Sequence, residues 1–115
     1  MLVELIKTIE DFSKKRDWIK FHSPKNLSMA LAVEAAELAE IFQWLTEEES
    51  KNDDPKRIDR VREEIGDIMI YLVELSDKLN IDPLTAAFDK IKKNAKKYPI
   101  SNVKGKALKY WEYEK

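Results

Sequence analysis

Three prolines constrain what this chain can fold into, because each directly follows a helix-capping residue. Ser23-Pro24, Asp54-Pro55 and Asp82-Pro83 each join a side chain able to accept the N–H groups of a first turn to a proline. Its fixed φ and missing N–H suit the first helical position. The fourth proline, Pro99 in "KKYPIS", disfavours helical geometry at Tyr98 and ends a helix there. These breaks predict helices over 2–18, 24–45, 55–79 and 83–98. The first carries Leu2, Leu5, Ile6, Ile9 and Phe12 on one face. No segment alternates apolar and polar residues with period two, so strands are not expected. Four helices with short connections predict an all-α fold, a four-helix-bundle subunit. The acidic stretch "TEEESKNDDPK" reads as a solvated connection, and 99–115 as a basic, aromatic C-terminal tail.

Composition narrows the function classes. The chain has 115 residues, the size of one domain. A formal net charge of −1 argues against a general nucleic-acid or membrane surface. No cysteine is present, which excludes disulfide scaffolds, zinc–thiolate sites and cysteine nucleophiles. No apolar run reaches the roughly 18 residues of a membrane span, and "MLVELIKTIEDF" is too charged for a secretory signal. A soluble, cytoplasmic protein is the expectation.

The glutamates of "AVEAAELAEIFQW" occupy unequal positions. Side chains advance about 100° per residue around a helix. With Glu34 at zero, Leu27 and Leu45 fall near ~20°, Leu38 near ~40°, Leu31 near ~60° and Ile41 near ~−20°. Glu34 therefore lies inside the apolar stripe. Glu37, at about −60°, flanks that stripe between Ala30 and Trp44, and Glu40, at about −120°, faces solvent. In 55–79, Val61, Ile65, Ile68, Leu72, Leu75 and Leu79 form an apolar stripe at 4,3 spacing, with Glu64, Asp67 and Tyr71 along its edge. Two helices thus carry an acidic pair, Glu34/Glu37 and Glu64/Asp67, beside or within a buried face.

Burying even one ionised carboxylate costs several kcal/mol unless it is paired or holds a metal. Arg60 and Lys78 fall only at the ends of the second acidic stripe. A hard divalent cation is the natural partner, and an all-oxygen donor set favours Mg²⁺ or Mn²⁺, or Ca²⁺, over zinc. A single E-x-x-E pair is ordinarily a solvated one; two on neighbouring helices leave the metal and solvated readings evenly matched. A di-iron bundle needs Glu-x-x-His motifs, which the single histidine, His22 in "KFHSPKNL", does not supply.

Mg²⁺ held by a few carboxylates keeps positions open for water and phosphates, which points to phosphoryl chemistry. No glycine-rich phosphate cradle exists. Lys90, Asn94 and Lys97 recur at 4,3 spacing beside Leu84, Phe88, Ile91 and Ala95, as phosphate contacts or as solvated surface. Trp18, Phe21, Trp44 and Tyr71 offer faces for a base, or, for Trp18 equally, simple core packing.

"EAAE" at 34–37 followed by "EIGD" at 64–67 resembles the E-x-x-E…E-x-x-D signature of MazG-like, all-α nucleoside triphosphate pyrophosphohydrolases. "RDWIKFHSPKNL", "AELAEIFQW", "REEIGDIMIYLVEL" and "KIKKNAKKYP" look like the dCTP pyrophosphatase-like branch. The resemblance implies a catalytic domain over 1–98 in which Glu34, Glu37, Glu64 and Asp67 hold Mg²⁺. Water then splits a nucleoside triphosphate between its α and β phosphates, giving monophosphate and pyrophosphate. It also implies a base pocket of Trp18, His22, Asn26 and Trp44, with Tyr71, Lys90 and Asn94 on sugar or phosphates. His22 remains open to a second reading, as a structural residue of the loop. Homodimers or homotetramers are implied too; the near-zero net charge separately leads to no expectation of stable nucleic-acid binding. Members near this branch often carry glycine before each glutamate of the first pair; Val33 and Ala36 stand there instead, which bears on substrate choice more than on chemistry. Two rivals are a non-catalytic helical interaction module and a dUTPase-like hydrolase.

Overall fold

The computed structural model describes residues 1–107 and 112. These form α1 (Leu2–Lys15), a 3₁₀ turn (Ile19–Phe21), α2 (Pro24–Phe42), α3 (Glu47–Ser50), α4 (Pro55–Lys78), α5 (Pro83–Lys97) and α6 (Ile100–Val103). The fold is all-α, with no strand among the described residues. No described helix is long and apolar enough to cross a membrane. The chain divides into two compact units, Met1–Ile81 and Asp82–Lys115. Most of the aromatic end of the expected C-terminal tail lies outside the described residues.

All three Ser/Asp-Pro pairs start helices. Ser23 Oγ accepts the Asn26 N–H at 3.2 Å, and Asp54 Oδ1 accepts the Lys56 N–H at 3.1 Å. Asp82 Oδ1 accepts from Leu84 and Thr85 at 2.9 and 3.3 Å. Each cap satisfies donors that the first turn leaves unpaired, worth about 1 kcal/mol apiece.

The four expected helices all end early, α1 and α2 by three residues each, at Lys15 and Phe42, and α4 and α5 by one; α1 and α4 close through a left-handed residue. Asp17 and Asn80 each have φ of 56°, a conformation Asp and Asn tolerate because their short polar side chains bond locally. At the first, the Trp18 N–H reaches back to the Ser13 carbonyl at 3.0 Å. At the second, the Ile81 N–H reaches the Ser76 carbonyl at 2.8 Å. Both are Schellman closures, which turn the chain sharply back over the last helical turn. The first stops α1 at Lys15, short of the expected 18, and folds Trp18 onto Phe12 with ring centroids 5.7 Å apart, edge to face.

The acidic connection is not simply solvated loop. Thr46 and Glu49 form a reciprocal capping box, Glu49 N–H to Thr46 Oγ1 at 3.1 Å and Thr46 N–H to the Glu49 carboxylate at 2.9 Å, which starts the one-turn α3. The Arg57 guanidinium then donates to the Glu49 and Asn52 carbonyls at 3.1 and 3.0 Å, tying this turn to the start of α4. Local hydrogen bonding, invisible to a reading by charge, organises the segment.

Within the first unit α2 and α4 form the main pairing, with α1 against α4 and the 3₁₀ turn. Leu27 and Val73 are the most deeply buried large side chains, with Ile9 and Ile41 also buried. Each such residue contributes about 1.5–3 kcal/mol of transfer free energy. The α2 face is the one expected from its angular pattern: Leu27, Leu31, Leu38, Ile41 and Leu45 are buried or half-buried. The α4 face is a correction. Ile65, Leu72 and Leu79 of the expected buried stripe are exposed, whereas Glu64 and Tyr71, expected at its edge, are half-buried with Val61, Ile68 and Leu75. The helix is rotated so that part of its acidic edge faces the rest of the unit.

Candidate active site

That rotation sets one carboxylate of α4 against two of α2. Glu34, Glu37 and Glu64 each present an oxygen within 4.8 Å of the others. Glu34 and Glu64 are half-buried, while Glu37 is exposed at the margin. Glu40 points to solvent, as its angle requires. Asp67, one turn beyond Glu64, stands outside this triad. Its charge nevertheless acts on Glu34.

The triad lacks the partners that buried charge demands. Oε2 of Glu34 and Oε2 of Glu64 are both buried with no hydrogen-bond donor, and the ion pairs with lysine or arginine among the described residues lie elsewhere on the surface. The Glu34 carboxyl responds: its pKa is raised from 4.5 to about 7. The first cause is the carboxyl of Glu64 pressed against it, a contact that only a shared proton can bond, then burial, then Glu37. Two orphaned carboxylate oxygens among three convergent acids fit a hard divalent cation, which would replace that proton and supply the missing positive charge.

Beside the triad a cavity of about 340 Å³ opens between α1, the 3₁₀ turn and α4. Its size falls within the range of small-molecule sites, about 300–1,000 Å³. Asp67 and Tyr71 line the side continuous with the acids, Phe12 and Trp18 an aromatic wall, and His22 and Glu74 a polar end. The Tyr71 hydroxyl is pushed up in pKa by burial and then by the charges of Glu34, Asp67 and Glu74, so it stays protonated and able to donate. A second, smaller cavity of about 210 Å³ shares His22 and Glu74 but touches none of the acidic triad.

His22 Nδ1 lies 2.8 Å from Glu74 Oε2, with both side chains largely buried, at 16 and 11% exposure. The contact is short but not aligned for N–H donation. Burial pushes the Glu74 carboxyl up, while His22 and Lys78 pull it down.

The remaining expected residues are placed unequally. Asn26 is exposed, and its side-chain amide donates to the Phe21 carbonyl at 2.9 Å, closing the 3₁₀ turn rather than lining the cavity. Trp44 follows α2 at 88% exposure and lines neither cavity. Lys90 and Asn94 lie on α5 in the second unit, exposed and half-buried respectively. Glu74 is the residue that reading by motif missed. Its signal was available: Glu64, Asp67, Tyr71 and Glu74 recur at 3, 4 and 3, one continuous polar edge.

A family model described as "MazG-like family" matches residues 29–112. Over 102 residues the chain is 39% identical to "dCTP pyrophosphatase 1" of Rattus norvegicus, covering 87% of this chain and 60% of that protein. It is 38% identical over 104 residues to the protein of the same name from Homo sapiens, covering 89 and 61%. The chain thus spans about three-fifths of the length of these relatives. A solved structure of a pyrophosphatase from Archaeoglobus fulgidus DSM 4304 is similar with a TM-score of 0.79 and 42% identity, over 84% of this chain and 90% of that one.

Proposed function

The chain belongs to the MazG-like family, and from that premise we propose that it is a Mg²⁺-dependent nucleoside triphosphate pyrophosphohydrolase. It cleaves a (d)NTP, dCTP or a non-standard dNTP, to the monophosphate and pyrophosphate, and so removes unwanted nucleotides from the pool in the cytoplasm. The observation that carries the reading is the convergence of Glu34, Glu37 and Glu64 with two orphaned oxygens beside an aromatic-walled cavity. The names of the similar proteins support the reaction class.

Glu34, Glu37 and Glu64 would hold the cation, Mg²⁺ or Mn²⁺, with Asp67 completing the acidic set. When bound, the cation supplies charge neutralisation for the phosphates and acidifies water for attack. The chain's own residues do the rest. Phe12 and Trp18 offer faces for a nucleobase and exclude water from it. Tyr71 donates its hydroxyl proton toward sugar or phosphate oxygen. His22 lines the same cavity and joins the base-binding set; Asn26 and Trp44 line neither cavity and are no part of it, and Lys90 and Asn94 belong to the second unit.

The assembly in this reading is a homodimer or homotetramer, with no nucleic acid as partner. Ile58, Ile65, Leu72 and Leu79 recur every seven residues along α4, and each is exposed. An apolar seam of that kind, drifting slowly around the helix, favours cover by another helix.

Purified protein given Mg²⁺ and a panel of nucleoside triphosphates should release pyrophosphate from one or a few of them. The double variant Glu34→Gln/Asp67→Asn should abolish release; release undiminished in that variant would remove the site from this reading. A protein showing neither hydrolysis nor a thermal shift with Mg²⁺ plus nucleotide would be an interaction module instead.

A further inference from the structure

The polar end of the larger cavity holds a group that the proposed reaction does not use. Glu74 is on α4, ten residues beyond Glu64 on the same polar edge, with its side chain only 11% exposed. One oxygen, Oε2, is occupied by His22 at 2.8 Å. No hydrogen bond among the described residues engages the other oxygen, Oε1, and Oε1 is not among the fully buried atoms. The residue lines a cavity together with Tyr71 and Asp67, one and two turns back along α4, and with the Phe12–Trp18 pair. A base set beside one of these aromatic rings, with its phosphates toward Asp67 and the triad, would have Glu74 among the groups that line its site.

Resting on the hydrolase reading above, we propose that Glu74, positioned by His22, is the residue that selects the base. It accepts a hydrogen bond from an exocyclic amino group and rejects a keto oxygen at the same place. A carboxylate offers only lone pairs. The cytosine amino group presents N–H to it, whereas the uracil O4 presents lone pairs, leaving two acceptors facing each other out of water. Carboxylate-to-amino pairing of this kind distinguishes bases by about tenfold. The penalty of an unmatched buried polar group, rather than the gain of a matched one, does most of the selecting. His22 holds one carboxylate oxygen and leaves the other for the ligand, so its part is positional.

The test is equilibrium binding of dCMP and dUMP by calorimetry, with pyrophosphate release from dCTP and dUTP followed separately. The wild-type chain should favour dCMP by about tenfold or more. Glu74→Gln, whose amide can turn its NH₂ toward O4, should collapse or reverse that ratio. A purely structural role would weaken both nucleotides alike and leave the ratio intact. Glu74→Asp, which withdraws the carboxylate by one methylene but keeps its charge, is the second variant should the first lower the Tm; it should lose the preference too. A wild-type protein indifferent to the base, or an unchanged ratio in folded Glu74→Gln or Glu74→Asp, overturns the assignment. Selective dCMP binding without pyrophosphate release would support the assignment while removing the hydrolase reading.

Discussion

Glu34 on α2 and Glu64 on α4 face each other with one buried, undonated oxygen apiece. A carboxyl pair in that relation is stable only with a shared proton or a cation between its members, and the two alternatives respond oppositely to pH.

Without divalent cation the protein should lose stability as pH rises. The Glu34 pKa is raised from 4.5 to about 7, chiefly by Glu64. The folded state thus binds a proton more tightly than the unfolded chain. The stabilisation is complete below about 4.5 and is lost as pH rises through about 7. Thermal melts in chelator should show Tm falling across that window, and millimolar Mg²⁺ or Mn²⁺ should restore it at the alkaline end. Glu34→Gln, neutral at every pH, should flatten the profile. A Tm rising through the window in chelator would contradict the arrangement.

Removing the acids one at a time should separate the triad from its neighbour. Glu37→Gln and Glu64→Gln take oxygens from the converging set and should cost more activity than Asp67→Asn. Asp67 lies outside the triad and lines the cavity, so its loss should act through cation affinity, raising half-activating Mg²⁺ by about 10- to 100-fold. Mg²⁺ titrations of the three variants by pyrophosphate release distinguish the two effects.

Two tryptophans should behave differently. Trp18→Ala removes the edge-to-face partner of Phe12 and part of the cavity wall. The ring pair alone is worth about 0.5–1.5 kcal/mol beyond area, so both Tm and substrate KM should suffer. Trp44→Ala removes a ring that is 88% exposed in the single chain and should leave the Tm of a dissociated subunit unchanged. Any KM effect at Trp44 should vanish together with assembly, which dilution of the enzyme would reveal.

The exposed α4 seam is open to charge. Ile65→Glu with Leu72→Glu should leave the helices intact by circular dichroism, because both side chains already face outward. Light scattering should show a smaller species than the wild type. A wild type that is monomeric at high concentration would instead leave the seam to a different partner.

Much of the fold was legible because its signals are local. The Ser/Asp-Pro pairs announced α2, α4 and α5, since capping and the proline ring act within one turn and need no tertiary partner. The placing of Glu34 among Leu27, Leu38 and Ile41 was equally local, because angular position follows from helix geometry alone. The early stop of α1 was not, since a left-handed Asp17 is only one of several states its sequence allows.

The sequence by itself thus determined where helices begin, that the fold is all-α, and that two acidic pairs lie at or near an inward face. Tertiary structure decided which side of α4 meets α2. Two stripes on that helix compete, one of isoleucine and leucine and one of Glu64, Asp67, Tyr71 and Glu74, and apolarity alone favours the former. Packing within the unit instead exposes Ile65 and Leu72 and brings Glu64 to Glu34 and Glu74 to His22. The reason is physical: a helix's rotation is settled by contacts between residues distant in sequence, so the triad and the polar end of the cavity exist only once α1, α2 and α4 have packed.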